Sequence, residues 1–127
     1  MPPSKKNLSD ASAKHEIFYR EGLDHFQSGR FQIAIQSLND AISFNPNFAK
    51  AYSLMGRAYL NIPGHHMEAR ESFMRSINAN PYDAESYFLL GLTLMSQRAW
   101  PEALDALNLA IHYNPDYAQA YSNRGVC

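Results

Sequence analysis

The most reactive side chains in this sequence are five histidines and one cysteine, and their spacing limits the chemistry they can do. His65 and His66 are adjacent in a Pro-Gly turn. A zinc site needs three or four convergent ligands, and nothing at helical spacing joins this pair, so it reads as a solvated turn. His15, His25 and His112 are scattered, and no serine, cysteine or carboxylate stands in a motif that would pair it with one of them as nucleophile and base. Cys127 has no second cysteine with which to close an internal disulfide. Neither catalysis nor a metal or other cofactor is expected from this set. Recognition chemistry remains. Arg57 stands among apolar residues, where a guanidinium can hold a ligand carboxylate or, equally, pair with Glu85 or Glu16 of its own chain.

Helices must position that arginine, and the stretch Ala84 to Tyr117 shows their plan. Tyr87, Leu90, Gly91 and Leu94 fall at i, i+3, i+4 and i+7, one face of a helix. After a break at Arg98-Ala99-Trp100-Pro101, Ala103, Leu107, Ala110 and Ile111 mark a second face, and Asn114-Pro115 ends it, since proline disfavours helical geometry in the residue before it. The same events occur earlier through Phe18, Gly22 and Phe26, a glycine turn at Gly29, and a helix from Phe31 to Phe44 whose expected buried face is Ile33, Ala34, Leu38, Ala41 and Ile42. They occur again through Tyr52, Met55, Gly56, Tyr59, Ala69, Phe73, Ser76 and Ile77.

Gly22, Gly56, Gly91 and Gly125 are separated by 34, 35 and 34 residues, so one extra residue falls in the middle copy, within Asn61 to His66. A glycine inside a helix costs about 1 kcal/mol relative to alanine. Its use in one register predicts a close approach, with a bulky residue of the second helix against the backbone of the first. Each hairpin leaves an apolar side that the next can cover, which predicts an array.

The totals bound the rest. The 127 residues suffice for one domain, and 46% hydrophobic with 18% charged residues argues against disorder of the whole chain. With 11 basic and 12 acidic residues, electrostatics gives no reason to expect nucleic acid or an anionic membrane as partner. No apolar run is long enough to span a bilayer. The start of the chain lacks the apolar core of a signal peptide, and with the lone cysteine this predicts a cytoplasmic protein. Residues 1–8 read as a disordered lead-in, with Ser9 or Asp10 as the first cap.

Aromatic-x-x-Leu-Gly-x-x-Tyr, then Ala-x-x-x-Phe, then Pro at this period resembles the tetratricopeptide (TPR) signature. The copies are carried by Phe18, Gly22, Ala34, Leu38 and Pro46; by Tyr52, Met55, Gly56, Tyr59, Ala69, Phe73 and Pro81; and by Tyr87, Leu90, Gly91, Ala103, Leu107 and Pro115. Tyr121 and Gly125 begin a fourth. Glu21, His25 and His66 are mild departures. The resemblance implies an all-α, right-handed α-solenoid over residues 9–127, with repeats 15–48, 49–83 and 84–117 and a partial fourth at 118–127. It also implies that the first helices line a concave groove that takes a protein or peptide ligand, as in adaptors and chaperones. Alternatives are an N-terminal arm of a larger protein, such as an enzyme or secretion component, and a self-associating scaffold.

On each first helix a second stripe lies about 100° from the packing stripe. It reads Tyr19, Leu23, Phe26; then Ser53, Arg57, Leu60; then Phe88, Leu92, Met95. With Lys50 and Ser122 these form the expected groove, although Leu23, Leu60 and Leu92 equally suit packing between first helices. Tyr19, Phe88 and Met95 carry the types favoured at recognition surfaces. The lysine, asparagine and arginine clamp with which some TPR domains grip acidic chaperone tails is absent, its places holding Tyr19, Leu23, Leu54, Glu85 and Leu89. No strong binding to such tails is expected. Ala118 to Cys127 reads as a first helix lacking its second, docked through Tyr121, with a homodimer through the C-terminal edge as the expected way of covering it.

Overall fold

In the computed structural model, which describes residues 3–127 with side chains from Ala13 onward, the periodic stripes become seven helices. These are α1 (Pro3–Gln27), α2 (Phe31–Phe44), α3 (Ala49–Leu60), α4 (His66–Ala79), α5 (Ala84–Ser96), α6 (Trp100–Tyr113) and α7 (Ala118–Val126). Helix α1 starts earlier than the sequence predicts: residues 3–8, expected as a lead-in, are helical, and Ser9 and Asp10 lie inside the helix instead of capping it. Proline fits a first turn because the N–H it lacks would have no partner there, and extending a nucleated helix adds no further nucleation cost. Met1 and Pro2 lie outside the described residues.

The glycine register does what its spacing predicts. A Cβ built on Gly22 would sit 2.8 Å from Leu38, one on Gly56 2.6 Å from Phe73, and one on Gly91 2.8 Å from Leu107. Leu38, Phe73 and Leu107 are fully buried, as are Ala34, Ala69 and Ala103 beside them. Gly125 has open space around it. Each second helix ends on an asparagine in extended geometry, Asn45, Asn80 or Asn114. Their Oδ1 atoms accept the N–H of Asn47, Tyr82 and Asp116 at 3.3, 3.3 and 3.2 Å, turns that asparagine makes readily. The hydroxyls of Tyr52 and Tyr87 donate to the carbonyls of Pro46 and Pro81 at 3.0 and 2.9 Å, tying the second and third hairpins to the turns before them.

The middle hairpin absorbs its extra residue in two ways: α3 has 12 residues against 13 in α5, and its turn covers 61–65, against 28–30 and 97–99 in the others. Gly29, Gly64 and Arg98 hold the left-handed position of these turns, with φ of 78°, 83° and 60°. On α2 the buried face includes Ile35 where Ile33 was expected, and Ile33 is 44% exposed. The two flank the same stripe, and α3 arrives on the Ile35 side. Tyr121 is likewise exposed, at 42%, with Ala120 buried in its place and Tyr117 packed beside Phe88. Among the described residues no second helix follows to cover Tyr121.

Each helix packs on its neighbours in sequence, and the contacts that skip one helix join α1 to α3 and α3 to α5. The first helices therefore stand closer together than the second helices, which places them on the inner side of a curved array.

Candidate binding groove

The inner side is built from side chains that helix spacing turns away from the glycine seam. Tyr19 and Leu23 on α1, Lys50, Ser53, Leu54 and Arg57 on α3, and Asp83 and Glu85 at the start of α5 line one depression of about 290 Å³. Five expected groove residues, Tyr19, Leu23, Lys50, Ser53 and Arg57, thus converge. Phe26 adjoins them, its ring 4.9 Å from the Arg57 guanidinium, and Tyr19 packs against Phe48 at 5.1 Å.

The remaining expected residues lie elsewhere. Phe88 is 7% exposed and packs 4.8 Å from Tyr117, so it is a core residue and not the open aromatic that the stripe predicts. The stripe gives the direction of Phe88 but not the arrival of Tyr117 over it. Leu92 and Met95 are half-buried against the same cluster, and Ser122 is exposed on α7.

Two contributors were missed. Asp83 caps α5, with Oδ1 accepting the N–H of Glu85 at 3.2 Å and Oδ2 the hydroxyl of Ser86 at 2.8 Å, which fixes the carboxylate. Tyr117 is the other. Both occupy the residue just before a first helix, as Phe48 does, a position that lies outside the periodic stripe of the helix. The correspondence of Phe48, Asp83 and Tyr117 along the repeats was the available signal.

The electrostatics are mixed in sign. Lys50, Arg57 and Glu85 are exposed, and among the described residues no carboxylate lies within ion-pair distance of Lys50 or Arg57. Neither Glu85 nor Glu16 pairs with Arg57, which rests on Phe26 instead. Burial raises the Tyr19 phenol above its ordinary pKa; Arg57 opposes that, and Glu16 and Glu85 add to it. The Tyr117 phenol is raised by burial and then by Glu85 and Asp83. A basic wall on α3 therefore faces an acidic edge on α5, with an aromatic at each end. Among the described residues no three histidine, cysteine or acidic side chains group as a metal site. No helix there is long and apolar enough to cross a membrane.

Comparison with known proteins agrees with the architecture of repeated helical hairpins. A family model described as TPR repeat matches residues 22–62, and one described as tetratricopeptide repeat matches residues 64–118. Superkiller complex protein 3 of Mus musculus is 28% identical over 119 residues, which cover 94% of this chain but 8% of that protein. The chain thus spans a small part of the curated relatives it matches. The crystal structure of MamA superposes with a TM-score of 0.85 at 27% identity, over 96% of this chain and 71% of the other. The first TPR of Spaghetti (RPAP3), bound to the HSP90 peptide SRMEEVD, superposes with a TM-score of 0.86 at 16% identity, over 91% and 90% of the two chains, a likeness of fold alone.

Proposed function

This chain belongs to the tetratricopeptide repeat family, and on that premise we propose that its concave groove binds a peptide or helical segment of a partner protein, as an adaptor and not as a catalyst. The observation that carries this reading is the convergence of Lys50 and Arg57, both without an ion pair among the described residues, with Tyr19 and Leu23 in one depression. A ligand carboxylate sits between the two cations, where an arginine provides paired donors. An apolar or aromatic ligand side chain lies on Tyr19 and Leu23, and Phe26, Leu92, Met95 and Ser122 extend the surface along the array. Asp83 and Glu85 disfavour a ligand of uniformly negative charge, so the acidic tail bound by the RPAP3 domain is not the partner expected here. The lone cysteine and absence of a membrane-crossing helix among the described residues support a cytoplasmic setting.

Selection from a displayed random-peptide library against the wild type and Lys50→Glu/Arg57→Glu tests the reading. Peptides with an acidic residue next to an apolar one should be enriched on the wild type and lost on the variant, whose circular dichroism should be unchanged. Enrichment of the same peptides on both proteins would refute it. The small share of the relatives' length that is matched supports a second reading, in which these hairpins are an arm of a longer protein. The coding transcript decides that point.

A further inference from the structure

The outer face carries one cleft twice, between successive second helices over the intervening first helix. Between α2 and α4 it has a floor of Tyr52, Met55 and Tyr59; between α4 and α6 the equivalent floor is Tyr87, Leu90 and Leu94. Both clefts keep two carboxylates at the same places, Glu68 and Glu71 in the first and Glu102 and Asp105 in the second. In the first cleft these acids are satisfied within the chain. Glu68 bonds to His65, which lowers its pKa, and Glu71 accepts from Arg75 at 2.9 Å.

In the second cleft the positions of His65 and Arg75 are held by Ala99 and Leu109. The acids persist without their partners, and among the described residues neither Glu102 nor Asp105 has an ion pair. The walls change in the same direction. Asn39 of the first cleft corresponds to Met74 of the second, which is 52% exposed, and Leu109 is 40% exposed. Arg70 on the α4 lip is the one cation that lines this cleft.

We propose that the cleft between α4 and α6 docks an amphipathic helix of a partner protein, with apolar side chains on Met74, Leu90 and Leu109 and a lysine or arginine facing Glu102 and Asp105. The size favours a protein segment. At about 240 Å³ the cleft is smaller than the roughly 300–1,000 Å³ of small-molecule sites. Its lining runs from Glu102 to Leu109, two helical turns or about 10.5 Å, the reach of a helix anchored at i, i+3 or i+4, and i+7. The charge specifies the partner: two unpaired carboxylates beside exposed methionine and leucine match a basic, apolar helix and repel an acidic one.

The methionines report the occupied face, because Met67 and Met74 are exposed on α4 whereas Met95 is half-buried against the core clusters of α5 and α6. With methyl-labelled methionine, the probe is a synthetic helix with leucine at i, i+3, i+4 and i+7 flanked by lysines, and its control has glutamate for lysine. Titration of the lysine peptide should shift the Met74 and Met67 methyls saturably and leave Met95 in place, and the glutamate peptide should not. Leu109→Arg should weaken binding at least about tenfold, and it should fold, because Arg75 occupies the same position one repeat earlier. Shifts at Met95 alone, equal binding of both peptides, unchanged affinity in Leu109→Arg, or no saturable shift at Met74 would each overturn the proposal. So would Met74 shifts that follow protein concentration without peptide, which assign the cleft to a second copy. Failure of the concave groove reads out separately, through Lys50 and Arg57.

Discussion

At the seam inside each hairpin, Gly22 meets Leu38, Gly56 meets Phe73 and Gly91 meets Leu107 with no room for a methyl group. Two residues further along the same second helices, on the outer face, stand Asp40, Arg75 and Leu109: an acid, a base and an aliphatic. The seam admits only a glycine facing a large apolar side chain, leucine or phenylalanine, because close-packed atoms leave little freedom of volume. The outer position admits any side chain that water tolerates, so it can differ between repeats without cost to the fold. In this molecule the repeats agree where they hold the structure together and differ where a partner can touch them.

Phe73→Ala against Arg75→Ala is the strongest challenge to that contrast. The buried ring should cost about 3–5 kcal/mol in urea unfolding, and its neighbour two residues on, in an exposed ion pair, no more than about 0.5 kcal/mol. Comparable losses at the two sites would remove the distinction. Gly56→Ala sharpens it: with a Cβ 2.6 Å from the rigid Phe73 ring, overpacking costs about 2–3 kcal/mol, alanine returns about 1 kcal/mol of helix propensity, and the variant should be less stable by about 1–2 kcal/mol. Gly125→Ala, in open space, should instead raise the helicity of α7. Unchanged stability of Gly56→Ala would mean that the glycine register has some other origin. The smallest effect belongs to the turns, where Arg98 holds at φ 60° a position that glycine fills in the other hairpins. Arg98→Gly should stabilise the chain by about 0.5–1 kcal/mol by relieving left-handed strain, and a drop in melting temperature would show that the arginine has a compensating contact.

Features set by local periodicity were legible in the sequence. The ends of α2, the Asn-Pro stops, the longer turn after Leu60 and the glycine seam all follow from spacings of three and four residues and their repetition. Features set by the arrival of another hairpin were not. Ile33 and Ile35 border the same stripe, and only α3 decides between them. Phe88 lies on the groove stripe but is covered by Tyr117, and Asp83 enters the groove from a cap that no stripe includes. The start of α1 was misplaced for a different reason, since its polar residues carry no period to read.

The pattern of packing, each helix on the next and few contacts beyond, also governs how the chain finds its structure. Nearly every native contact closes a loop only one or two helices long, and the entropy of closing loops grows slowly with their length. Low contact order of this kind goes with folding in microseconds to milliseconds. Folding can begin in any hairpin and spread outward, so a ligand that clasps two neighbouring hairpins secures the step by which order passes from one to the next.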